Sequence, residues 1–312
     1  MRTFLVTGGA GFIGSHIAEA LVRRGDRVRV LDNLCTGNRN NLAAIGEHEF
    51  IEADVNDAQA VARAVDGVEG IFHQAALPSV PRSVEAPLET NAACVTGSVV
   101  LLDQARQAGV RRLVYAASSS AYGDQPTSSK RETDLPAPLS PYGAAKLATE
   151  YYCRAFTASY GFETVCLRYF NVFGPRQDPA SEYSAVIPKF VTAMLEGTQP
   201  TIYGDGQQSR DFTYIANVVH GNLLAVDAPD VAGRVFNVAI GRSTSLLALV
   251  KRINELLGTE IQPRHAPPRR GDILESLADI SQARRCLKYE PRVSFDEGLR
   301  RSIDFYRTLV GK

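Results

Sequence analysis

The stretch Gly8-Gly9-Ala10-Gly11-Phe12-Ile13-Gly14 decides how the first part of this chain folds. It follows the apolar run Phe4-Leu5-Val6 and precedes a helix-like stretch at residues 17–22. A glycine-rich turn between a buried strand and a helix lets the backbone approach a phosphate, which the helix N-terminus stabilises with free N–H groups. The spacing Gly-x-x-Gly-x-x-Gly, one residue longer than the common dinucleotide fingerprint between its first two glycines, therefore predicts a pyrophosphate-binding turn.

A second strand and the acid at its end extend this prediction. Residues 28–31 read as the next strand, and Asp32 stands at its end, eighteen residues after Gly14. A carboxylate at this place accepts hydrogen bonds from a ribose 2′-hydroxyl and repels a 2′-phosphate. The sequence therefore predicts NAD, rather than NADP, as the dinucleotide.

Composition excludes several other classes of protein. The 312 residues carry a formal net charge of zero and no basic run, so nucleic acid is not an expected partner. An apolar stretch of the roughly 18 residues that span a bilayer is missing, so no membrane association is expected. Five unpaired cysteines, without disulfide or metal-ligand spacing, favour reduced thiols in the cytoplasm. The five histidines also lack metal-ligand spacing, and His16 and His73 are interpreted as packed or loop residues.

Strand-like and helix-like segments alternate through the first half of the chain. Strands are predicted at 2–7, 27–31, 49–53, 69–73, 111–116 and 163–168, with helices near 14–24, 57–65, 86–108 and 142–160. This alternation is typical of an α/β fold with a doubly wound parallel (Rossmann) sheet, whose functional residues follow the carboxyl ends of strands. We predict a cofactor domain at 1–170, with a return near 233–241, and a smaller α/β substrate-binding lobe at 171–312.

One helix carries a pair of residues suited to acid–base chemistry. Tyr142 and Lys146 form Tyr-x-x-x-Lys behind Pro141, in the first turn of a predicted helix, where side chains four residues apart share a face. A tyrosine with its usual pKa of about 10 is a poor base at neutral pH, and a neighbouring ammonium favours its phenolate. A hydroxyl that completes the set is expected among Ser118, Ser119 and Ser120, which end the preceding strand.

These motifs resemble those of the extended short-chain dehydrogenases/reductases, in particular the NAD-dependent UDP-sugar 4-epimerases. The resemblance runs almost from end to end, through the segments TGGAGFIGSH, LDNL, EADV, HQAALPSVPRS, ASSSAYGD, SPYGAAK, LRYFNVFGPRQDP, VIPKF, IYGDG and SRDFTYI. It implies Ser118, Tyr142 and Lys146 as catalytic residues. The positions that match NAD contacts in the family are Gly8, Gly11, Phe12, Ile13, Asp32, Asn33, Leu34, Thr36, Gly37, Asp54, Val55, Gln74, Ala75, Ala76, Leu77, Tyr142, Lys146 and Phe170.

The resemblance also implies a site for the UDP-sugar. The matching positions are Ser79, Ser118, Ser119, Asn171, Ala185, Val186, Tyr203, Arg210, Arg269, Asp272 and Ser276. In the family, the residue four positions after the Gly271-Asp272 pair faces the substituent on the sugar's C2, and here it is Ser276. A small residue leaves room for an N-acetyl group, whereas a tyrosine fills that room, so UDP-N-acetylglucosamine/UDP-N-acetylgalactosamine is favoured over UDP-glucose/UDP-galactose and UDP-glucuronate.

At two places this sequence differs from the residues that are usual in parts of the family. Dehydratases and decarboxylases of the family carry acidic residues directly after the catalytic hydroxyl, where this chain has Ser119 and Ser120, so epimerisation at C4 is expected. Cys94 stands where the family usually has asparagine, which puts one hydrogen bond near the cofactor in doubt. The resemblance also implies a homodimer formed by helices near 86–108 and 142–160. The non-catalytic alternative is an NAD(H)-binding regulator, and a net reductase is a third possibility.

Overall fold

A seven-stranded parallel sheet forms the centre of the molecule. The computed structural model describes residues 1–125, 127, 129–179, 185–268 and 274–311. The strands of this sheet are β1 (Thr3–Thr7), β2 (Arg27–Asp32), β3 (Glu49–Glu52), β4 (Gly70–His73), β5 (Arg112–Ser118), β6 (Glu163–Tyr169) and β11 (Arg234–Val238). They lie in the order β11-β6-β5-β4-β1-β2-β3, and every neighbouring pair is parallel. The predicted doubly wound α/β fold is confirmed.

All six strands predicted in the first half are present, with small changes at their ends. The largest change is in β5, which continues to Ser118, two residues beyond the predicted end. The reason is pairing with the neighbouring strand, since Ala117 and Ser118 align with Arg168 and Tyr169 of β6. This extension places Ser118 on a regular strand, at the carboxyl end of the sheet where functional residues are expected.

Helices cover both faces of the sheet. They are α1 (Phe12–Arg23), α2 (Arg39–Ala43), α3 (Ala58–Val65), α4 (Val80–Glu85), α5 (Pro87–Asn91), α6 (Gly97–Gln107), α7 (Pro141–Tyr160), α8 (Val186–Leu195), α9 (Ile215–Asp227), α10 (Leu246–Leu257), α11 (Ser281–Leu287) and α12 (Phe295–Val310). Helices α3, α6 and α7 share one buried cluster with one face of the strands, and α1 and α9 share another with the opposite face. Within the described residues, none of these helices is long and apolar enough to cross a membrane.

The helix predicted near 86–108 is interrupted in its middle. Between α5 and α6 the backbone forms a π-helix over Ala92–Thr96, which contains Cys94. Such turns are rare and often lie at functional sites, because they redirect backbone carbonyls that an α-helix would hold internally.

Short strands build the region beyond β6. They are β7 (Val172–Phe173), β8 (Thr201–Tyr203), β9 (Ser209–Arg210), β10 (Thr213–Tyr214), β12 (Thr244–Ser245), β13 (Arg264–Ala266) and β14 (Glu275–Ser276). Strand β9 lies between β12 and β14, whereas β7 pairs with β10 and β8 pairs with β13. Apolar residues of this region join the cluster that covers the face of α1 and α9, so one continuous core connects it to the sheet.

Candidate active site

A cavity of about 1660 Å³ lies at the carboxyl ends of the parallel strands. Its wall contains residues that directly follow β1, β2, β4 and β6, namely Gly8, Asn33, Gln74 and Phe170. This is the place where open α/β sheets bind ligands. Every residue that was predicted to contact NAD lies in this wall.

The glycine turn brings the backbone very close to the neighbouring loop and helix. Gly8 has φ +66°, and a Cβ on it would lie 2.7 Å from the backbone nitrogen of Ala75. A Cβ on Gly14 would lie 2.2 Å from the carbonyl oxygen of Gly8, so only glycine fits both positions. Helix α1 begins directly after Gly11, and no side chain caps its N-terminus. The turn and the exposed N–H groups of the helix therefore fit the pyrophosphate of a dinucleotide.

Asp32 is fixed at the cavity edge by the backbone around it. One carboxylate oxygen accepts a hydrogen bond from the Ala10 N–H at 2.9 Å, and the other accepts from the Leu34 N–H at 2.8 Å. Burial raises the pKa of this carboxyl, and the two N–H groups oppose the rise. Each oxygen keeps a lone pair for a hydroxyl, as ribose recognition requires.

A second carboxylate lies close by on the same rim. Asp54 accepts a hydrogen bond from Asn33 Nδ2 at 2.7 Å. Although burial opposes it, hydrogen bonds from Asn56 and Asn33 lower the pKa of Asp54. The two acids and their amide partners give this end of the cavity the acceptors that a nucleoside needs.

Ser118, Tyr142 and Lys146 also line this cavity. Ser140 caps α7 by accepting from the Gly143 N–H at 3.1 Å, which places Tyr142 in the first turn. The Ser118 side chain is close enough to Tyr142 to lower the pKa of its phenol. Lys146 Nζ lies 6.0 Å from the centre of the Tyr142 ring and donates to the Ala116 carbonyl at 2.9 Å. The three predicted catalytic residues therefore share one wall.

Electrostatics around Tyr142 differ from the sequence-based expectation. Burial raises the pKa of Tyr142, and the neighbouring Ser118 side chain opposes the rise. Burial also lowers the pKa of Lys146. The phenol therefore needs an additional positive charge at the site to become a base near neutral pH, and the nicotinamide ring of NAD⁺ carries one.

The serines after β5 determine which hydroxyl faces Tyr142. Ser118 Oγ accepts from the Ser120 N–H at 3.1 Å and from Ser120 Oγ at 2.8 Å, within a short 3-10 turn over Ser119–Ala121. Ser120 is thereby engaged with Ser118, and Ser118 is the serine that lowers the pKa of Tyr142. This geometry favours Ser118 among the three candidates.

Several predicted UDP-sugar residues also line the cavity. Asn171 Nδ2 lies 3.4 Å from the Asp211 carbonyl and 3.5 Å from Ser276 Oγ. Arg210 of β9 lines the cavity too, and its strand pairs with β14, which carries Ser276. The remaining predicted residues that line the wall are Ser79, Ser118, Ser119 and Ala185.

Two described residues that were predicted to contact the substrate do not line the wall. Val186 begins α8 and packs against the core, and Tyr203 ends β8, where its carbonyl accepts from Gln208 Nε2 at 2.6 Å. Neither is part of the cavity lining, so their roles stay predictions. Arg269 and Asp272 lie outside the described residues.

Sequence reasoning missed Arg176 in the cavity wall. This residue has φ +67°, pairs with Glu19 of α1 and donates to Ser15 Oγ at 3.4 Å. Its position directly after the Gly174-Pro175 turn was the available signal. Among the described residues, no cluster of three or more histidine, cysteine, aspartate or glutamate side chains could hold a metal ion.

Comparison with known proteins agrees with this geometry. The model of the NAD dependent epimerase/dehydratase family matches residues 4–239. The UDP-glucose 4-epimerase of Mycolicibacterium smegmatis is 38% identical over 313 residues, which cover 98% of this chain and 99% of that protein.

Two solved structures are similar over nearly the whole chain. A UDP-N-acetylglucosamine 4-epimerase from Methanobrevibacter ruminantium, in complex with UDP-N-acetylmuramic acid, has a TM-score of 0.95 and 38% identity, covering 99% of both chains. The Thermus thermophilus UDP-glucose 4-epimerase in complex with NAD has a TM-score of 0.90 and 37% identity, covering 98% of this chain and 99% of that one. The chain therefore belongs to the NAD dependent epimerase/dehydratase family, and it is an NAD-dependent epimerase whose relatives include UDP-sugar 4-epimerases.

Proposed function

We propose that this enzyme inverts C4 of UDP-N-acetylglucosamine and UDP-N-acetylgalactosamine. The observation that carries the choice of sugar is the small side chain of Ser276 in the cavity wall. By the resemblance, relatives confined to glucose and galactose have a tyrosine at this position. Ser276 lies on β14 beside Asn171, so a pocket for an N-acetyl group would open next to the nucleotide-sugar site. A small residue also admits UDP-glucose and UDP-galactose, and these are the second candidate pair.

Ser118, Tyr142 and Lys146 would carry the proton chemistry of this reaction. Tyr142 would take the proton from the C4 hydroxyl, and Ser118 would hold the same oxygen through its hydroxyl. Lys146 would favour the phenolate by its charge, held in place by the Ala116 carbonyl. NAD, when bound, supplies the acceptor and the donor of the C4 hydride. The UDP group would remain anchored while the 4-keto sugar turns, so that the proton and hydride return to its other face.

The division of labour between the two parts of the chain belongs to the same proposal. Residues 1–170 would hold NAD, and residues 171–312 would hold the UDP-sugar. Strand β11 is an exception, because it lies at the edge of the main sheet beside β6. The two parts are therefore interleaved in sequence, and the proposed reaction takes place where they meet.

A substrate panel tests this proposal directly. The purified enzyme is incubated separately with UDP-N-acetylglucosamine, UDP-glucose and UDP-glucuronate, and the C4 epimers are followed by NMR. We expect UDP-N-acetylgalactosamine to form with the highest kcat/KM and without net NADH production. A higher value for either other sugar would reassign the substrate, and no epimer from any sugar would favour the regulator. Stoichiometric consumption of added NADH would instead indicate a net reductase.

We also infer that the enzyme is a cytoplasmic homodimer. Helices α4 and α5 pack against α7, and side chains on them remain exposed, including Val84, Leu88, Tyr151 and Tyr152. A second copy of the chain would cover this apolar face, as the predicted helix pairing requires. All five cysteines are free thiols, which suits a reducing compartment. Sedimentation equilibrium at micromolar concentration would show a dimer, and a monomer would contradict this inference.

A further inference from the structure

A buried chain of hydrogen bonds runs underneath the cavity. His73, at the end of β4, lies between two hydroxyls: its Nδ1 is 2.7 Å from Thr7 Oγ1, and its Nε2 is 2.7 Å from Ser98 Oγ. Ser98 Oγ continues the chain by donating to the Cys94 carbonyl at 2.6 Å. These four residues are at most 1% exposed, so water cannot replace any of these bonds.

Each end of this chain reaches a functional element. At one end, the Ala75 N–H donates to Thr7 Oγ1 at 3.3 Å, and Ala75 is the residue that packs against Gly8 of the cofactor turn. At the other end, Thr149 Oγ1 donates to the same Cys94 carbonyl at 2.6 Å. Thr149 lies on α7 almost one turn beyond Lys146. The π-helix presents the Cys94 carbonyl to hydroxyls from two different helices.

The donors and acceptors leave one neutral tautomer for His73, with its hydrogen on Nε2. The Cys94 carbonyl can only accept, so the Ser98 hydrogen is used there and the Ser98 oxygen must accept from Nε2–H. In the neutral ring, Nδ1 carries a lone pair and accepts from the Thr7 hydroxyl, whose oxygen accepts from the Ala75 N–H. Burial, followed by the positive charge of Lys146, lowers the pKa of His73 to about 3. The ring is therefore neutral and protonated at Nε2. The bonds from Ala75 to the Cys94 carbonyl all point in one direction, and Thr149 donates to the same carbonyl from the other side.

We propose that His73 is a positioning residue for the epimerisation, because this oriented chain holds the helix of Tyr142 and Lys146 in register with the cofactor turn. The proposal rests on the roles proposed above for Tyr142 and Lys146. The bond from Thr149 to the Cys94 carbonyl is its final link. A displacement of α7 by a fraction of an ångström would move the phenol relative to the cofactor, and a misplacement of about 1 Å costs on the order of 10²-fold in rate.

The first test is spectroscopic and independent of activity. Nitrogen-15 NMR of histidine-labelled protein, with His73 assigned from the signal lost in His73→Gln, is recorded between pH 5 and pH 8. We expect the two ring-nitrogen chemical shifts of His73 to be those of a neutral imidazole protonated at Nε2. These shifts should not change between pH 5 and pH 8. Protonation at Nδ1, or titration within the range, would overturn the proposal.

The second test removes the hydrogen bond from Thr149 to the Cys94 carbonyl. It compares the effect with the loss of a similar buried hydrogen bond outside the chain. Thr149→Val deletes the hydroxyl that bonds to Cys94, and Thr149→Ser keeps it. The control is Thr164→Val, because Thr164 is equally buried and its hydroxyl donates at 2.8 Å to the Cys153 carbonyl of the same helix, outside the chain. All variants are measured well below their unfolding temperatures.

We expect Thr149→Val to lower kcat about 10-fold to 100-fold with KM for the UDP-sugar nearly unchanged. Thr149→Ser should recover most of kcat, and Thr164→Val should keep kcat within twofold even where it lowers Tm. Equal losses in Thr149→Val and Thr164→Val would indicate a merely structural role and overturn the proposal, as would an unchanged kcat in Thr149→Val. Retained activity in Tyr142→Phe would instead contradict the proposed function and leave the NMR result standing.

Discussion

The two halves of the cavity wall are built in different ways. The half predicted to hold NAD consists of the ends of neighbouring strands in one parallel sheet, whose pairings run over four to seven residues each. The half predicted to hold the sugar contains strands of two residues, such as β9 and β14, which come from distant parts of the chain. Long ladders of hydrogen bonds fix the first half, whereas two-residue backbone pairings and single side chains such as Asn171 connect the segments of the second.

This difference separates chemistry from specificity. A substitution in the regular half should remove a reaction step or reduce stability, because its side chains are held by the sheet. A substitution in the irregular half should change which sugar is accepted while the cofactor chemistry continues. The following predictions test this distinction.

The largest effect is expected from Tyr142→Phe. This change removes the phenolic oxygen that would accept the C4 proton and keeps the ring that fills the wall. Loss of a positioned general base typically costs on the order of 10²–10⁴-fold in rate. We expect kcat to fall by this amount while the purified protein keeps its NAD, measured by NMR turnover and by the NAD released on denaturation.

Tyr160→Phe is the matched control for that variant. Tyr160 ends the same helix and is 59% exposed, far along α7 from the cavity wall. Its turnover should equal that of the parent enzyme. A Tyr142→Phe rate within a few-fold of the parent would show that another group accepts the proton.

A smaller effect is expected on the free energy of unfolding, which should depend on pH through the buried His73. The pKa of His73 is lowered from 6.5 to about 3 by burial, so the folded chain keeps this ring neutral where the unfolded chain protonates it. Stability present above pH 6.5 is therefore lost as pH falls towards 3. For this residue the loss is about 2 kcal/mol of unfolding free energy at pH 5.

Urea unfolding at pH 7 and pH 5 measures this loss. His73→Gln should be less stable than the parent at pH 7 but should lose less stability between the two pH values. His265→Gln, which replaces an exposed histidine, should lose as much as the parent. An equal loss in the parent and in His73→Gln would contradict the buried neutral ring.

Local patterns explain how much of the molecule was predictable. The strands of the regular half are apolar runs bounded by turns, and Gly8, Asp32 and Tyr142 stand at fixed places relative to them, so sequence spacing predicts both elements and roles. The return strand β11 was also anticipated from its apolar run. The short helices α2 and α4 were missed, because five or six residues carry too little periodicity.

Contacts between distant segments explain what could not be predicted. His73 and Ser98 are 25 residues apart, and Thr149 and Cys94 are 55 apart, so no local motif reveals that they form one chain. The same holds for Arg176, whose place in the wall depends on its pairing with Glu19 across 157 residues. In the irregular half, the resemblance named Val186 and Tyr203, but spacing alone could not show whether they reach the cavity.

The last prediction concerns the choice of sugar and the irregular half alone. Ser276 is 9% exposed and lies beside Asn171, so a tyrosine placed there has little free surface to turn towards and must occupy the neighbouring cavity. Ser276→Tyr should therefore lower kcat/KM for UDP-N-acetylglucosamine at least about tenfold, equivalent to about 1.4 kcal/mol, and spare UDP-glucose.

Ser276→Ala serves as the control, since it removes the hydroxyl without filling space and should keep turnover of both sugars. Competition between the two sugars in one NMR sample gives the ratio directly for each variant. Equal losses for both sugars in Ser276→Tyr would mean that the tyrosine disturbs β14 as a whole. Unchanged N-acetylhexosamine turnover would mean that Ser276 does not face the C2 substituent, and the sugar preference would then have to reside in another part of the wall.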